Sequence, residues 1–124
     1  GSYTGIMRYL KEKNPDIKGV LADPVGSIIG GGTEHKDYNI EGVGNDFIPD
    51  TMDTSLIDIC IKVNDEQAFS TAKEITRREG VIAGSSSGAD LWCALELAKR
   101  IDKGNIVVLF PDRGDRYISK GLYD

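Results

Sequence analysis

The sequence predicts an α/β domain with a mostly parallel sheet flanked by helices, and three observations carry that expectation. Short apolar runs alternate with longer segments whose apolar residues recur at helical spacing. The strongest runs are close to continuously apolar, as strands covered on both faces are. Cap and turn signals fall between the two kinds of segment, and strand–helix alternation is how parallel sheets are connected.

From Gly5 to Lys13, Ile6, Met7, Tyr9 and Leu10 share one helical face, Arg8, Lys11, Glu12 and Lys13 lie outside it, and Asn14-Pro15 stops the run. Ile17 to Ala22 (IKGVLA), closed by Asp23-Pro24, is too short for a helix and reads as a buried strand. Residues 24–55 hold Gly26, Gly30, Gly31, Gly32, Gly42, Gly44 and Pro49, with little periodicity beyond a turn around Ile40 to Gly44. A connection that long inside a domain is usually functional or mobile.

Ile57, Ile59, Ile61 and Val63 alternate with Asp58, Cys60 and Lys62, a period-two strand signal. Asn64 and Gln67 form a capping box, Asp65 and Glu66 suit the positive end of the helix dipole, and Ala68, Phe69, Ala72 and Ile75 make the buried stripe. Arg77, Arg78 and Gly80 end that helix. Val81 to Ala83 reads as a short strand and Gly84 to Gly88 as a turn. Leu91, Trp92, Ala94, Leu95, Ala98 and Ile101 mark a second long helix ending before Gly104. Asn105 to Phe110 (NIVVLF) is the clearest buried strand of the chain.

At 124 residues, with 40% apolar and 28% charged residues, the chain has the size and composition of one globular domain. Its net charge of -5 disfavours nucleic acid and anionic membrane surfaces as partners. Cys60 and Cys93 lack CxxC spacing and sit among apolar residues, which suits reduced, buried thiols in a cytosolic protein. His35, the only histidine, has no Cys or His neighbour with which to build a metal site. The longest apolar run, Ile106 to Phe110, is far short of the roughly 20 residues that span a bilayer. Gly1-Ser2 has the form of a remnant left by removal of an expression tag.

Ser86 stands in Gly84-x-Ser86-x-Gly88 between a strand and a helix, as a hydrolase nucleophile would, but no histidine follows it to act as base. Two other readings of the turn remain: a polar-ligand site built from consecutive N–H groups and hydroxyls, or a plain serine N-cap. Gly30-Gly31-Gly32-Thr33 lacks the GK[ST] ending of a nucleotide loop and reads as a flexible loop. Gly42-Val43-Gly44 permits close approach of backbone to a ligand, or marks a turn. Pro111 to Tyr117 leaves the carboxyl end of the clearest strand, where open α/β sheets bind ligands; a solvated loop with ion pairs is the other reading.

In order, Thr4-Gly5-Ile6 with RYLKE, then ADPVGSI, IEGVGNDFIP, REGVIAGSSSGA and IVVLFPDRGDRYISK resemble the carboxy-terminal part of fold type II pyridoxal-phosphate enzymes, over nearly the whole chain. ADPVGSI and GNDFIP look more like cystathionine beta-synthase than O-acetylserine sulfhydrylase. The resemblance implies a tryptophan synthase beta-like fold, with residues 1–124 a single partial domain: the carboxy-terminal portion of the large cofactor domain. Ser86 then matches the serine that hydrogen-bonds the pyridine nitrogen of pyridoxal phosphate. A hydroxyl does not hold that nitrogen protonated, which makes the cofactor a milder electron sink. Gly1 and Ser2 align with the end of the GTGGT loop that holds the cofactor phosphate. Gly42 and Gly44 match the glycines beside cofactor and substrate, and Asp46 shapes the amino-acid pocket.

The implied activity is β-replacement: a lyase of transsulfuration condensing serine, or an activated serine, with the thiol of homocysteine. Cysteine synthesis from O-acetylserine and sulfide is the enzyme alternative, and a non-catalytic fragment retaining part of the cofactor pocket is the alternative of another class. No lysine here stands in the context of the family's Schiff-base lysine, so the chain alone is expected to be inactive. Asn45 replaces a tyrosine common in cystathionine beta-synthases, and Arg113 replaces the serine of the usual PDSG. A homodimeric parent is implied. Sheet neighbours lost with the other half would leave apolar surface exposed.

Overall fold

In a computed structural model, residues 1–32 and 35–124 are described. Helix α1 (Ser2–Lys13) leads to strand β1 (Val20–Pro24), and a long connection containing a 3-10 turn at Thr54–Leu56 returns to β2 (Ile59–Val63). Helices α2 (Asp65–Glu79) and α3 (Ser85–Ala98) follow, and a 3-10 segment at Gly114–Lys120 lies near the end. β1 and β2 pair in parallel, from Val20 opposite Ile59 to Pro24 opposite Val63, so the predicted α/β class with a parallel sheet holds.

The α2 signals act as read. Asn64 Oδ1 accepts from Gln67 N at 2.8 Å, Gln67 Oε1 accepts from Asn64 N at 2.9 Å, and Gly80 closes the helix at φ 70°. Ile40, Ile61, Val63, Ala68, Ala89 and Cys93 form the main core between the sheet and the two helices, with Ala72, Ala83, Tyr117 and Leu122 in a second cluster. Gly88 lets the helices meet: a Cβ there would lie 2.1 Å from Ala68 O.

Several expectations are corrected. α1 begins at Ser2 and turns Thr4 and Met7 inward, leaving Ile6 and Tyr9 44% and 59% exposed, because Thr4 Oγ1 is needed by Asp53 N at 3.0 Å. β1 starts at Val20 rather than Ile17, since Gly19 N turns to the Asp58 carboxylate at 2.7 Å. Gly84 to Gly88 is not a separate turn: residues from Ser85 on are already α3, whose buried side runs through Ser85 to Ala89 and Cys93 while Leu95 is exposed.

The two remaining strand expectations fail for want of partners. Val81 to Ala83 contributes only a bridge from Ala83 to Arg113. Asn105 to Phe110 is irregular, with Val107 96% exposed, because no described backbone group hydrogen-bonds to it. An apolar sequence cannot make a strand without neighbours to complete its ladder. With Ile82, Ile106 and Leu109 also exposed, the expected apolar surface is present.

Candidate functional site

The first turn of α3 carries three buried serines after Gly84, and their hydroxyls have different fates. Ser85 Oγ accepts from Glu41 N at 3.2 Å, and Ser87 Oγ donates to Asp112 Oδ1 at 2.6 Å. Ser86, 3% exposed, makes no side-chain hydrogen bond to any described residue. The middle hydroxyl is thus the one left for a group from outside the chain.

Both readings of this turn need correction. The N-cap is Gly84, not a serine, and it has no side chain to cap with. Asp112 caps instead, from 26 and 25 residues away: its carboxylate accepts from Ser86 N at 3.0 Å and Ser87 N at 2.9 Å. Those amides are therefore spent within the chain, and a ligand meets a hydroxyl rather than an N–H nest. Glycine at 84 is a steric necessity, since a Cβ would lie 2.4 Å from Asp112 Cγ. Asp112 is the functional residue that sequence reasoning did not single out. Its signal was the loop Pro111 to Tyr117 itself, whose Arg113–Asp115 pair at 3.5 Å faces solvent while Asp112 turns inward.

The turn around Gly42 meets this helix end through Glu41, which also pairs with Lys120. Gly42 has φ 79° and nothing within 4 Å of the missing Cβ, so its bare face is open. Gly44 is different: at φ 74° its missing Cβ would lie 2.5 Å from Pro24 Cγ and 2.7 Å from the Tyr38 hydroxyl, so packing within the chain already demands glycine. Asp46 is exposed, with no ion pair or side-chain hydrogen bond among the described residues. Gly1 and Ser2 lie at the start of α1, where Gly1 is the N-cap and no side chain caps the helix. In the other glycine loop a Cβ on Gly30 would strike Cys60 Sγ at 2.3 Å, a packing role; Thr33 lies outside the described residues.

Two carboxyl groups near this helix end titrate in opposite directions. Burial works against the charge on Asp112, yet hydrogen bonds from Ser87, Tyr117 and the Ser86 and Ser87 amides hold its pKa below the ordinary value. Asp90, one turn along α3, is pushed up to about 7, by burial first and then by the charge on Asp112. Folded Asp90 binds a proton that the unfolded chain has released between 3.8 and about 7, so stability falls as pH rises through that window. Asp90→Asn should remove the slope and stabilise the chain at pH 8 by on the order of 3 kcal/mol. Urea unfolding at pH 4.5 and 8 checks this, and an unchanged slope counts against it.

A family model described as pyridoxal-phosphate dependent enzyme matches residues 1–112. The chain is 51% identical to the O-acetylserine dependent cystathionine beta-synthase of Bacillus subtilis, over 100% of its own length and 40% of that protein. A cysteine synthase of Helicobacter pylori is 41% identical over 99% of the chain and 40% of that protein. The crystal structure of O-acetylserine dependent cystathionine beta-synthase from Helicobacter pylori superimposes with a TM-score of 0.90 and 41% identity, covering 98% of this chain and 40% of that one. The chain thus spans about two fifths of these relatives.

Proposed function

Because this chain belongs to the family of pyridoxal-phosphate dependent enzymes, we propose that it forms the ring-nitrogen side of a cofactor pocket in a β-replacement enzyme. The reaction we assign to the parent joins an activated serine to homocysteine to give cystathionine. O-acetylserine is the preferred donor on the 51% identity to a relative named for that dependence. Cysteine synthesis from the same donor and sulfide is the second reading, favoured by the 41% identical cysteine synthase.

One observation carries the assignment: Ser86 has a nearly buried hydroxyl with no partner among the described residues, between two serines that both have one. A pyridine nitrogen can accept a hydrogen bond from it, and the open face of Gly42 leaves room for a flat ring beside the helix end. Pyridoxal phosphate, when bound, supplies an electron sink for the bonds at the amino acid's α-carbon. The chain's own contribution is to hold that sink at moderate strength through Ser86. Gly1 and Ser2, at the uncapped start of α1, are assigned to the cofactor phosphate, and Gly44 and Asp46 to the amino-acid side.

The motif order supports reading the chain as the carboxy-terminal part of the cofactor domain, the rest of the parent supplying the Schiff-base lysine. By itself the chain is then inactive. Borohydride reduction with pyridoxal phosphate should leave its mass unchanged and label a longer polypeptide when one is present. The free thiols of Cys60 and Cys93 suit a reducing, cytosolic setting. A homodimeric parent remains part of this proposal.

A pair of substitutions tests Ser86 directly. Ser86→Ala should weaken cofactor retention in the holoenzyme while shifting unfolding of the cofactor-free protein by only about 0.5 kcal/mol or less. Ser87→Ala loses the bond to Asp112 and should destabilise the fold by about 1.5–3 kcal/mol. Equal loss of stability in both, with cofactor retained, would remove the assignment.

A further inference from the structure

The loop that bears Asp46 is held in place by a serine from another part of the chain. Ser27, 2% exposed, uses the full capacity of its hydroxyl: Oγ accepts from Asn45 N at 3.0 Å and Ile29 N at 3.3 Å, and donates to Asn45 O at 3.2 Å. Asn45 O also accepts from Ile28 N at 2.9 Å, so the backbone just before Asp46 is tied down on both its polar groups. On the other side of Asn45, Gly44 is wedged with its missing Cβ 2.8 Å from Ser27 Cβ.

Ser27 is itself anchored to the sheet. Lys62 Nζ donates to Ser27 O at 2.9 Å and to Asp23 Oδ2 at 2.5 Å, and the same carboxylate oxygen accepts from Gly30 N at 2.9 Å. Asp23 and Lys62 face each other across the β1–β2 register, and Asp23 is 1% exposed. The pair cannot move without stripping the buried Asp23 carboxylate of its half-buried partner, so it transmits the rigidity of the sheet to residues 27–30. Asp46, by contrast, makes no side-chain hydrogen bond or ion pair among the described residues. Its position is inherited through Asn45.

We propose that Ser27, anchored by the Asp23–Lys62 pair, is the positioning residue of the Asn45–Asp46 segment and sets the affinity of the site for its amino-acid substrate. This rests on the assignment of Asp46 to the amino-acid side. Removing the hydroxyl frees Asn45 without touching Ser86 or α3, so the loss falls on amino-acid binding and not on the cofactor.

The test uses the full-length holoenzyme and L-alanine, which lacks a β-leaving group and so can occupy the amino-acid site without undergoing β-elimination. Calorimetric titration of Ser27→Ala should give a dissociation constant for alanine raised about tenfold, with cofactor content unchanged. Ser27→Cys, which keeps a weak donor and acceptor on the same carbon, should fall between the two and serves if the alanine variant does not fold. In steady state the KM for the amino acid should rise while that for the thiol stays put. Unchanged alanine affinity in the variant, or an equal rise in both KM values, overturns the positioning role. Failure of the unsubstituted holoenzyme to bind alanine sinks the underlying reading instead.

Discussion

Ser86→Asp in the intact parent enzyme should lower turnover by about a hundredfold, roughly 2.7 kcal/mol of added barrier. A carboxylate would keep the ring nitrogen protonated where a hydroxyl does not, changing how strongly electrons are drawn from the amino acid. The surroundings add a second penalty. Asp112 already places its carboxylate on the Ser86 amide at 3.0 Å, and Asp90 lies one turn further along α3. A third carboxyl in that space is repelled by the first and desolvated by the helix end, so cofactor retention should fall with turnover. Steady-state kinetics and the cofactor absorbance of the same preparations measure both, and a variant with ordinary turnover would refute the role of Ser86.

Gly88→Ala should destabilise the fold by about 2–3 kcal/mol, although helix propensity alone favours alanine by about 1 kcal/mol. The conflict is decided by one contact. The new methyl would sit 2.1 Å from Ala68 O, 2.9 Å from Ala72 Cβ and 3.0 Å from Ala72 N, and these are mostly backbone atoms of α2 that no rotamer change can move. α2 and α3 would have to separate, opening the core that Ala68 and Ala89 share with β2. Gly5→Ala on α1, where nothing lies within 4 Å, is the matched control and should stabilise by about 0.5–1 kcal/mol. Denaturant unfolding of both variants settles the comparison, and equal shifts would show that the helix contact is not tight.

The inward turn of Asp112 joins these expectations to the function. A helix whose first turn buries three serines has amides and hydroxyls to satisfy, and leaving them unpaired would cost about 1–3 kcal/mol each. Asp112 satisfies two amides and the outer hydroxyl, and the Gly42 turn reaches the inner one through Glu41. The remaining hydroxyl is exempt from this pairing, and that selectivity singles out Ser86 among three identical side chains.

Much of this was legible in the residues alone, where the determining interactions are local. Helix α2 could be read from Asn64 to Gly80 because its caps and stripe lie within the helix and one residue either side. The parallel sheet followed from alternation, and the cofactor from the order of short motifs, which the family match over residues 1–112 supports. Chain-distant pairing was not legible. NIVVLF has strand composition, but a strand is completed by its neighbours, and none lies beside it among the described residues. The hydrogen-bond partners of Ser85 and Ser87 cannot be read from sequence, because Glu41 and Asp112 are brought in from 44 and 25 residues away. Ser27 likewise reads as one more residue of a glycine-rich loop until folding sets it against Asn45. Local hydrogen bonds and hydrophobic period let the sequence determine helix α2 and the α/β class, and the order of short motifs let it determine the family. Long-range partners for buried polar groups exist only after the chain has closed, so the tertiary structure alone decided which of the three serine hydroxyls has no partner among the described residues and which loop Ser27 ties down.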